Sequence, residues 1–263
     1  AAELGLPGER VLELAGVLPS RPRLAIVGSR AAHRRQREAV PWIVAEAGAR
    51  GWSVVSGGAL GIDGDAHRAA LAAGVGQIAV LPCGPDRPYP PDHVGLFDAM
   101  ARGGAALLFS QPAGTIPTRA MFASRNALVV ALSDALVVVE AAVRSGTMLT
   151  GRLALRKLST VGAVVGSRGT AALVARGARA LPLDDEPTLR AALGALLCGE
   201  AEVERETWPP HLQSLRAALQ ASGPAGASAS TLAGVGAGMM ALTEAEALGL
   251  VAEVVPGRWV AVQ

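Results

Sequence analysis

Three short glycine-containing segments follow apolar runs in the sequence and carry hydroxyl or arginine side chains. They are Gly28-Ser29-Arg30, Ser56-Gly57-Gly58 and Ser145-Gly146-Thr147. Glycine lets backbone N–H groups approach an oxyanion closely, and a helix N-terminus favours negative charge. The serine and threonine hydroxyls add further donors. Together the three segments predict a site for an anion such as a phosphate.

A fourth segment, residues 119–126, combines cations with an aromatic ring. Arg119 and Arg125 can neutralise phosphates, and Phe122 offers a face on which an unpaired base can stack. Asn126 adds an amide that both donates and accepts hydrogen bonds. The composition alone leaves a second interpretation open, in which Phe122 is a buried residue beside a helix cap.

The sequence lacks the patterns of nucleotide enzymes and metal proteins. It contains neither a GxGxxG fingerprint nor a GxxxxGK[ST] loop. Its histidines show no metal-ligand spacing, and Cys83 and Cys198 lie too far apart for a CxxC motif. We therefore expect no metal, no cofactor and no catalytic residue.

Asp63 and His67 lie four residues apart on one predicted helix face and resemble an acid–base pair. No nucleophile or second carboxylate accompanies them in the motif. We expect Asp63 to cap the helix and His67 to make a structural hydrogen bond.

Apolar runs alternate with amphipathic stretches over the first two thirds of the chain. The runs predicted as strands are 24–28, 53–57, 77–81, 106–109, 135–139 and 163–166, and the stretches predicted as helices include 34–50, 64–74, 93–102 and 147–158. Continuous apolar strands alternating with helices indicate a parallel sheet covered on both faces. The fold class predicted is α/β, an extended Rossmann-like, doubly wound and mostly parallel sheet. Its ligand should lie beyond the carboxyl ends of the strands.

Composition changes along the chain predict four segments. These are an N-terminal extension at 1–22, the Rossmann-like domain at 23–182, an acidic, helix-containing linker at 183–206, and a small winged-helix-like domain at 207–263. In the last segment, helices at 211–221 and 238–248 precede a predicted hairpin with Pro256-Gly257 at its turn.

The net charge of +2 conceals an asymmetry. Residues 1–180 hold 20 basic and 12 acidic residues, a net of +8, whereas residues 181–263 hold 4 and 10, a net of −6. The basic part indicates an anionic ligand and the acidic part a different role. Residues 209–263 offer only Arg216 and Arg258 as cations, so we expect this segment to contact protein or to pack.

No apolar run is long enough to predict a membrane span, and the first residues lack the apolar core of a secretory leader. From these features we expect a cytoplasmic protein that does not contact a membrane.

Several motifs resemble the bacterial DNA-processing protein A family, also called Smf. The most specific is Ser-Gly-Gly-Ala-Leu-Gly-Ile-Asp-Gly-Asp-Ala-His at 56–67. Pro88-Tyr89-Pro90, Phe122-x-x-Arg125-Asn126, and Glu140 followed by Ser145-Gly146-Thr147 are also similar to family motifs. Ala127 stands where the family usually has a second arginine.

The resemblance implies a non-catalytic protein that binds single-stranded DNA, protects it during natural transformation and loads the RecA recombinase. It also implies a homodimer, and contact with single-strand-binding protein is a further expectation. By position, the DNA contacts would be Arg30, Arg119, Phe122, Arg125 and Asn126. Phosphates would lie against the backbone and hydroxyls of the glycine segments (Gly28, Ser29, Ser56, Gly57, Gly58, Ser145, Gly146 and Thr147).

Two alternatives use the same architecture. In one, the chain is a nucleoside 5′-monophosphate phosphoribohydrolase of the lysine-decarboxylase-like type, with Glu140 and Arg125 as catalytic residues, although the PGGxGTxxE signature is missing. In the other, the core is a nucleotide-binding sensor. If the protein instead binds DNA, we expect Glu140 to orient the 145–147 loop or an arginine.

Overall fold

The apolar runs of the sequence form the strands of one eight-stranded sheet. The computed structural model describes residues 12–116, 118–198, 213–221, 227–228, 251–255 and 258–261. The strands of the sheet are β1 Glu13–Ala15, β2 Arg23–Val27, β3 Ser53–Ser56, β4 Gln77–Leu81, β5 Ala106–Phe109, β6 Ala135–Val138, β7 Thr160–Val164 and β8 Arg179–Leu181. Their spatial order is β1-β5-β4-β3-β2-β6-β7-β8. The edge strand β1 pairs antiparallel with β5, and the other pairings are parallel.

Seven α-helices accompany the sheet in the described part of this unit. They are α1 Arg34–Ala49, α2 Ile62–Ala72, α3 Val94–Arg102, α4 Arg119–Ala131, α5 Gly146–Lys157, α6 Arg168–Val174 and α7 Glu186–Leu197. Helices α1, α2 and α7 share one apolar cluster with the sheet, and α4, α5 and α6 share another. None of the helices in the described ranges is long and apolar enough to span a membrane.

The two clusters arise because successive strand residues point to opposite faces of the sheet. Val54 packs in the cluster of α1 and α2, whereas its neighbour Val55 packs in the cluster of α4 and α5. Both side chains are fully buried. A strand that is apolar on both faces requires helices on both faces, which is the doubly wound arrangement.

The strand order changes direction beside β2. Strands β3, β4 and β5 continue on one side of β2, and β6, β7 and β8 lie on the other. The segments that leave β2 and β6 therefore diverge at the carboxyl edge and open a crevice between them. The sheet thus offers a ligand region where the sequence predicted one.

The predicted α/β fold class is confirmed, and all six predicted strands are present. The sixth begins at Thr160 rather than Ala163. Two edge strands, β1 and β8, were not predicted, because three residues are too few to show a period. Strand β1 lies inside the segment interpreted as an N-terminal extension, and its pairing with β5 makes it part of the sheet.

The acidic segment predicted as a linker contains α7, whose inner face is apolar. Leu189, Leu193 and Leu196 are buried in the cluster that also contains α1. Glu46 of α1 accepts a hydrogen bond from the Arg190 guanidinium at 3.0 Å. Residues 186–197 therefore belong to the first compact unit, Ala1–Glu202, rather than to a free connection.

The second unit, Val203–Gln263, contains one helix and a small sheet in its described residues. Its elements are α8 Gln213–Ala221, β9 Ala227–Ser228, β10 Val251–Val255 and β11 Arg258–Ala261. The antiparallel pairing of β10 with β11 matches the predicted hairpin strands. The predicted helix at 238–248 and the Pro256-Gly257 turn lie outside the described residues, so the winged helix stays a prediction.

Candidate nucleic-acid interface

The glycine-containing segments lie at the carboxyl edge of the sheet, each in a loop that joins a strand to a helix. Gly28-Ser29-Arg30 follows β2, and Gly57-Gly58 follows β3. The backbone N–H of Ile62, at the start of α2, donates to the Ser29 carbonyl oxygen at 3.3 Å. This hydrogen bond joins the loop after β2 to the start of the helix that follows the β3 loop.

Arg125 lies beneath these loops and is buried. Its Nη1 atom donates to the Gly57 carbonyl oxygen, and it lies 3.2 Å from the Val80 carbonyl oxygen. A Cβ atom added at Gly57 would overlap this guanidinium, so a larger residue there would displace the Arg125 side chain. Burial lowers the pKa of the Arg125 guanidinium, while the nearby Asp63 opposes that shift.

Asp63 is the buried counter-ion of Arg125. One of its carboxylate oxygens lies 4.0 Å from Arg125 Nη1, and the carboxylate also accepts backbone hydrogen bonds from Gly28, Gly57 and Ala59. Burial raises the pKa of the Asp63 carboxyl, and Arg125 and the backbone donors oppose the rise. The carboxylate therefore binds the loops after β2 and β3 together.

The predicted helix-capping role of Asp63 is wrong. Helix α2 begins at Ile62, and Gly61 occupies the cap position with a φ of 77°. Asp63 is the second residue of the helix, and its side chain turns into the loops instead. The predicted structural hydrogen bond of His67 is confirmed, since its Nδ1 atom lies 2.9 Å from Gln77 Oε1.

A pocket opens beside the buried pair, and Arg30, Tyr89, Phe122 and Arg125 itself contribute to its lining. The Arg30 guanidinium carbon lies 5.6 Å from the centre of the Phe122 ring, within the range of a cation–π contact. The Tyr89 and Phe122 ring centres are 5.5 Å apart, and their planes are inclined by 77°. Arg30 is exposed, so one cation and two aromatic rings meet at the surface.

The third glycine segment lies in the crevice between β2 and β6. Ser145 caps α5 by accepting from the Met148 N–H at 3.2 Å, and its hydroxyl donates to the Ala142 carbonyl oxygen at 2.7 Å. The Thr147 hydroxyl donates to the Gly28 carbonyl oxygen at 3.0 Å. Both hydroxyl groups thus have hydrogen-bond partners within the protein. Gly146 is exposed, and a Cβ atom added there would lie 4.0 Å from the Asn126 amide nitrogen.

The sequence predicted that Glu140 orients the 145–147 loop or an arginine. The structure gives Glu140 a different partner. Its carboxylate accepts from the His33 backbone N–H at 2.8 Å and lies 3.1 Å from His33 Nδ1. Glu140 follows β6 and His33 precedes α1, so this contact joins the two sides of the crevice. Arg125 instead contacts the carboxyl ends of β3 and β4.

Several predicted DNA contacts are buried and serve the fold. Ser56 is fully buried, and its hydroxyl donates to the Ile26 carbonyl oxygen at 2.6 Å. Gly57 and Gly58 are buried as well. Arg125 is only 4% exposed but contributes to the lining of the pocket, and its role as a direct phosphate contact stays a prediction. The contacts of its guanidinium with the Gly57 and Val80 carbonyl oxygens and with Asp63 are all made by Nη1.

Among the predicted contacts, residues of the loop after β2 and of helix α4 remain accessible. Arg30 is exposed, and Ser29, Phe122 and Asn126 are partly exposed. The Ser29 hydroxyl accepts from the Ala31 N–H at 3.2 Å. Arg119 is the first residue of α4, and its side chain lies outside the described part of the structure.

Tyr89 is an aromatic pocket residue that was not predicted from the sequence as a DNA contact. Its Pro88-Tyr89-Pro90 motif was noted only as a family feature. The signal available in the sequence was weak, because no glycine segment or arginine pair adjoins it. Only the fold brings Tyr89 beside Phe122.

Across the described ranges, no group of three or more His, Cys, Asp or Glu side chains is arranged to hold a metal ion.

Comparison with known proteins identifies the family. The family model of DNA recombination-mediator protein A matches residues 11–189, which include the whole parallel sheet and both loops above the Asp63–Arg125 pair. The chain belongs to the DNA recombination-mediator protein A family. The matched range extends through Leu189, so it includes the first residues of α7.

Several proteins are similar to this chain in sequence and in fold. A DNA processing protein of Mycobacterium tuberculosis is 41% identical over 169 residues, which are 62% of this chain and 43% of that relative. The chain therefore spans less than half the length of this curated relative. DNA processing protein A of Streptococcus pneumoniae superposes with a TM-score of 0.62 at 31% identity, covering 68% of this chain and 65% of that one.

A second solved relative is DNA processing protein A of Helicobacter pylori, described in terms of its single-stranded DNA binding mode. Its TM-score is 0.61 at 28% identity, and the superposition covers 69% of this chain and 86% of that one. The predicted family is confirmed by these matches.

Proposed function

We propose that the first unit binds single-stranded DNA at the carboxyl edge of its sheet and performs no covalent chemistry on it. The observation that carries the proposal is the exposed Arg30 guanidinium placed over the Phe122 ring at the mouth of the pocket. A cation beside an aromatic surface suits a strand with unstacked bases, because the phosphate and the base can be held together. The single-stranded DNA binding of the Helicobacter pylori relative supports the same ligand class.

The charge of the chain supports an extended anionic ligand. The first 180 residues have a net charge of +8, which favours association with a phosphate backbone and makes that association depend on salt. The Arg125–Asp63 pair has a separate role in this proposal. It fixes the Gly57 loop and thereby the floor of the pocket, while Arg30 meets the phosphate.

The phosphoribohydrolase alternative requires Glu140 and Arg125 to act on one substrate. Glu140 is hydrogen-bonded to His33 beyond β2 and β6, whereas Arg125 is bound to the carbonyl groups of Gly57 and Val80 at β3 and β4. Strand β2 separates β6 from β3 in the sheet. The geometry therefore favours binding over hydrolysis.

We propose that the biological role of the protein is to protect incoming single-stranded DNA in natural transformation and then to load RecA onto it. We further propose that the protein acts as a homodimer and contacts single-strand-binding protein. Support for these proposals comes from membership of the DNA recombination-mediator protein A family. The acidic second part of the chain, with its net charge of −6, suits contact with proteins better than contact with DNA.

The test compares single- and double-stranded oligonucleotides of equal length by fluorescence anisotropy over a series of salt concentrations. We expect the single strand to bind more tightly and its affinity to fall steeply with salt. Arg30→Glu should weaken binding strongly. Arg102→Glu is the matched control, because Arg102 is an exposed arginine at the end of α3, which runs back towards the opposite edge of the sheet. Preference for duplex, or equal loss in both variants, would contradict the proposal.

A further inference from the structure

Tyr89 presents an aromatic surface at the pocket mouth. It is the only tyrosine in the chain, and 38% of its surface is exposed. Two prolines flank it, and proline restricts the backbone on both sides. Its backbone also hydrogen-bonds to Cys83, which is buried just beyond β4. Tyr89 is therefore a large, accessible ring on a loop that is attached to the sheet.

Phe122 has less free surface than Tyr89. Arg30 lies over its ring at 5.6 Å, and Tyr89 meets it in an edge-type contact at 5.5 Å. Phe122 is only partly exposed, whereas the Tyr89 side chain is exposed to solvent. A base entering the pocket consequently has more aromatic area available on Tyr89 than on Phe122.

We propose that Tyr89 provides the ring on which an unpaired base of the DNA stacks, while Phe122 holds Tyr89 and Arg30 in place. This inference rests on the proposed single-stranded DNA binding and adds the residue that contacts the base. Stacking on an aromatic face is tolerant of sequence, because every base has a π-face. The site therefore takes a nucleobase of any kind next to a phosphate held by Arg30.

The single tyrosine allows a direct test in the full-length wild-type chain. Uniform incorporation of 3-fluorotyrosine gives one ¹⁹F resonance, which arises from position 89. We expect this resonance to shift when oligo-dA is added, because the ring current of a stacked base acts on the tyrosine. An abasic oligonucleotide of equal length should leave it nearly unmoved, although it carries the same phosphates. Equal shifts with both oligonucleotides, or none with either while DNA is bound, would overturn the assignment.

Affinity measurements provide an independent test. Tyr89→Ala should raise the Kd for oligo-dT by about 5- to 150-fold, equivalent to about 1–3 kcal/mol for one stacked base. The abasic strand should bind Tyr89→Ala and the wild type alike. Tyr89→Phe keeps the ring and should restore most of the lost affinity. Thermal unfolding of Tyr89→Ala checks that its fold is intact.

The failures of the two proposals are distinguishable. If the wild type binds no single-stranded oligonucleotide, the proposed function itself is wrong. If the wild type binds oligo-dT and Tyr89→Ala binds it equally well, DNA binding stands and the stacking role of Tyr89 is wrong.

Discussion

Arg125 and Asp63 form a buried ion pair, 4.0 Å between Nη1 and Oδ2, beneath the loops that follow β2 and β3. Both residues come from motifs that resemble ligand-binding sequences, yet their side chains contact the protein interior. The pair connects α4 to the amino end of α2 and to the backbone of Gly57. The shape of the pocket floor therefore depends on this buried pair.

Removal of Arg125 should destabilise the fold rather than only weaken DNA binding. Arg125→Leu leaves the Asp63 carboxylate buried without its counter-ion, which typically costs about 3–5 kcal/mol. The double variant Arg125→Leu/Asp63→Leu should recover part of this loss, because it removes both charges. Urea unfolding of the wild type, both single variants and the double variant gives the coupling free energy between Arg125 and Asp63.

Arg30→Glu is the surface control for that experiment. Arg30 is exposed, so its replacement should change the free energy of unfolding by no more than about 0.5 kcal/mol. If Arg125→Leu proved as stable as Arg30→Glu, the Arg125–Asp63 pair would not be holding the loops.

Gly57→Ala tests the close approach of Arg125 to the loop. The added methyl group would overlap the guanidinium, which would have to leave its backbone acceptors. Overpacking of this kind costs about 1–3 kcal/mol, so we expect a lower melting temperature and weaker DNA binding.

Gly95→Ala is the matched glycine control. No atom lies within 4 Å of a Cβ added at Gly95, which is in α3. Alanine there should be neutral or stabilise the protein by up to about 1 kcal/mol, since it favours the helix. Equal effects of the two substitutions would mean that the space beside Gly57 is not restricted.

The sheet could be predicted from the sequence wherever its strands are long and apolar on both faces. Strands β2 to β6 satisfy that condition, as with Val54 and Val55 in β3. Strand β1 has only three residues, and its position depends on the unpaired edge of β5, which is a tertiary feature. Helix α7 was expected in a linker because Asp184, Asp185 and Glu186 suggested a solvated segment. Its buried leucines face α1.

The residue types of the candidate site could be predicted from the sequence. The directions in which their side chains point could not. An arginine near a phenylalanine gives the same sequence signal whether it points towards solvent or towards the interior. Arg125 points inwards because Gly57 and Val80 offer carbonyl oxygens there, and these belong to strand ends far away in sequence. Tyr89 was missed for the same reason, since its partner Phe122 belongs to a different helix.

His67 should make the protein less stable at mildly acidic pH. Its imidazole is fully buried, and burial lowers its pKa from 6.5 to about 4. The unfolded chain therefore takes up a proton between those values while the folded protein does not, so stability falls as the pH falls through that window. The linkage amounts to about 2 kcal/mol between pH 7 and pH 5. The raised pKa of Asp63 acts in the opposite sense, because folding then favours the protonated carboxyl.

Urea unfolding at the two pH values measures this dependence. His67→Asn is the informative variant, because an amide can still donate to Gln77 Oε1 but does not titrate. We expect the pH dependence of its unfolding free energy to be smaller than that of the wild type. An identical dependence in both proteins would assign the acid sensitivity to other groups.

Arg30 and Phe122 should act as a coupled pair in DNA binding. The ring supports the guanidinium at 5.6 Å, so Phe122→Ala removes an apolar contact and also frees Arg30 to leave the phosphate position. Arg30→Glu should weaken binding most at low salt, where the phosphate attraction is least screened. The defect of Phe122→Ala should persist at high salt, because the packing of the ring against Tyr89 and Arg30 is not screened.

A double-variant cycle separates these contributions. Two independent residues would give a Kd change in Arg30→Glu/Phe122→Ala equal to the product of the single changes. We expect a smaller change, because the loss of the ring already removes part of what Arg30 contributes. The cycle is repeated at low and high salt, with Arg102→Glu in place of Arg30→Glu as the uncoupled comparison. Strict additivity of Arg30 and Phe122 at both salt concentrations would show that their contact has no role in binding, and the pocket would then consist of two separate subsites.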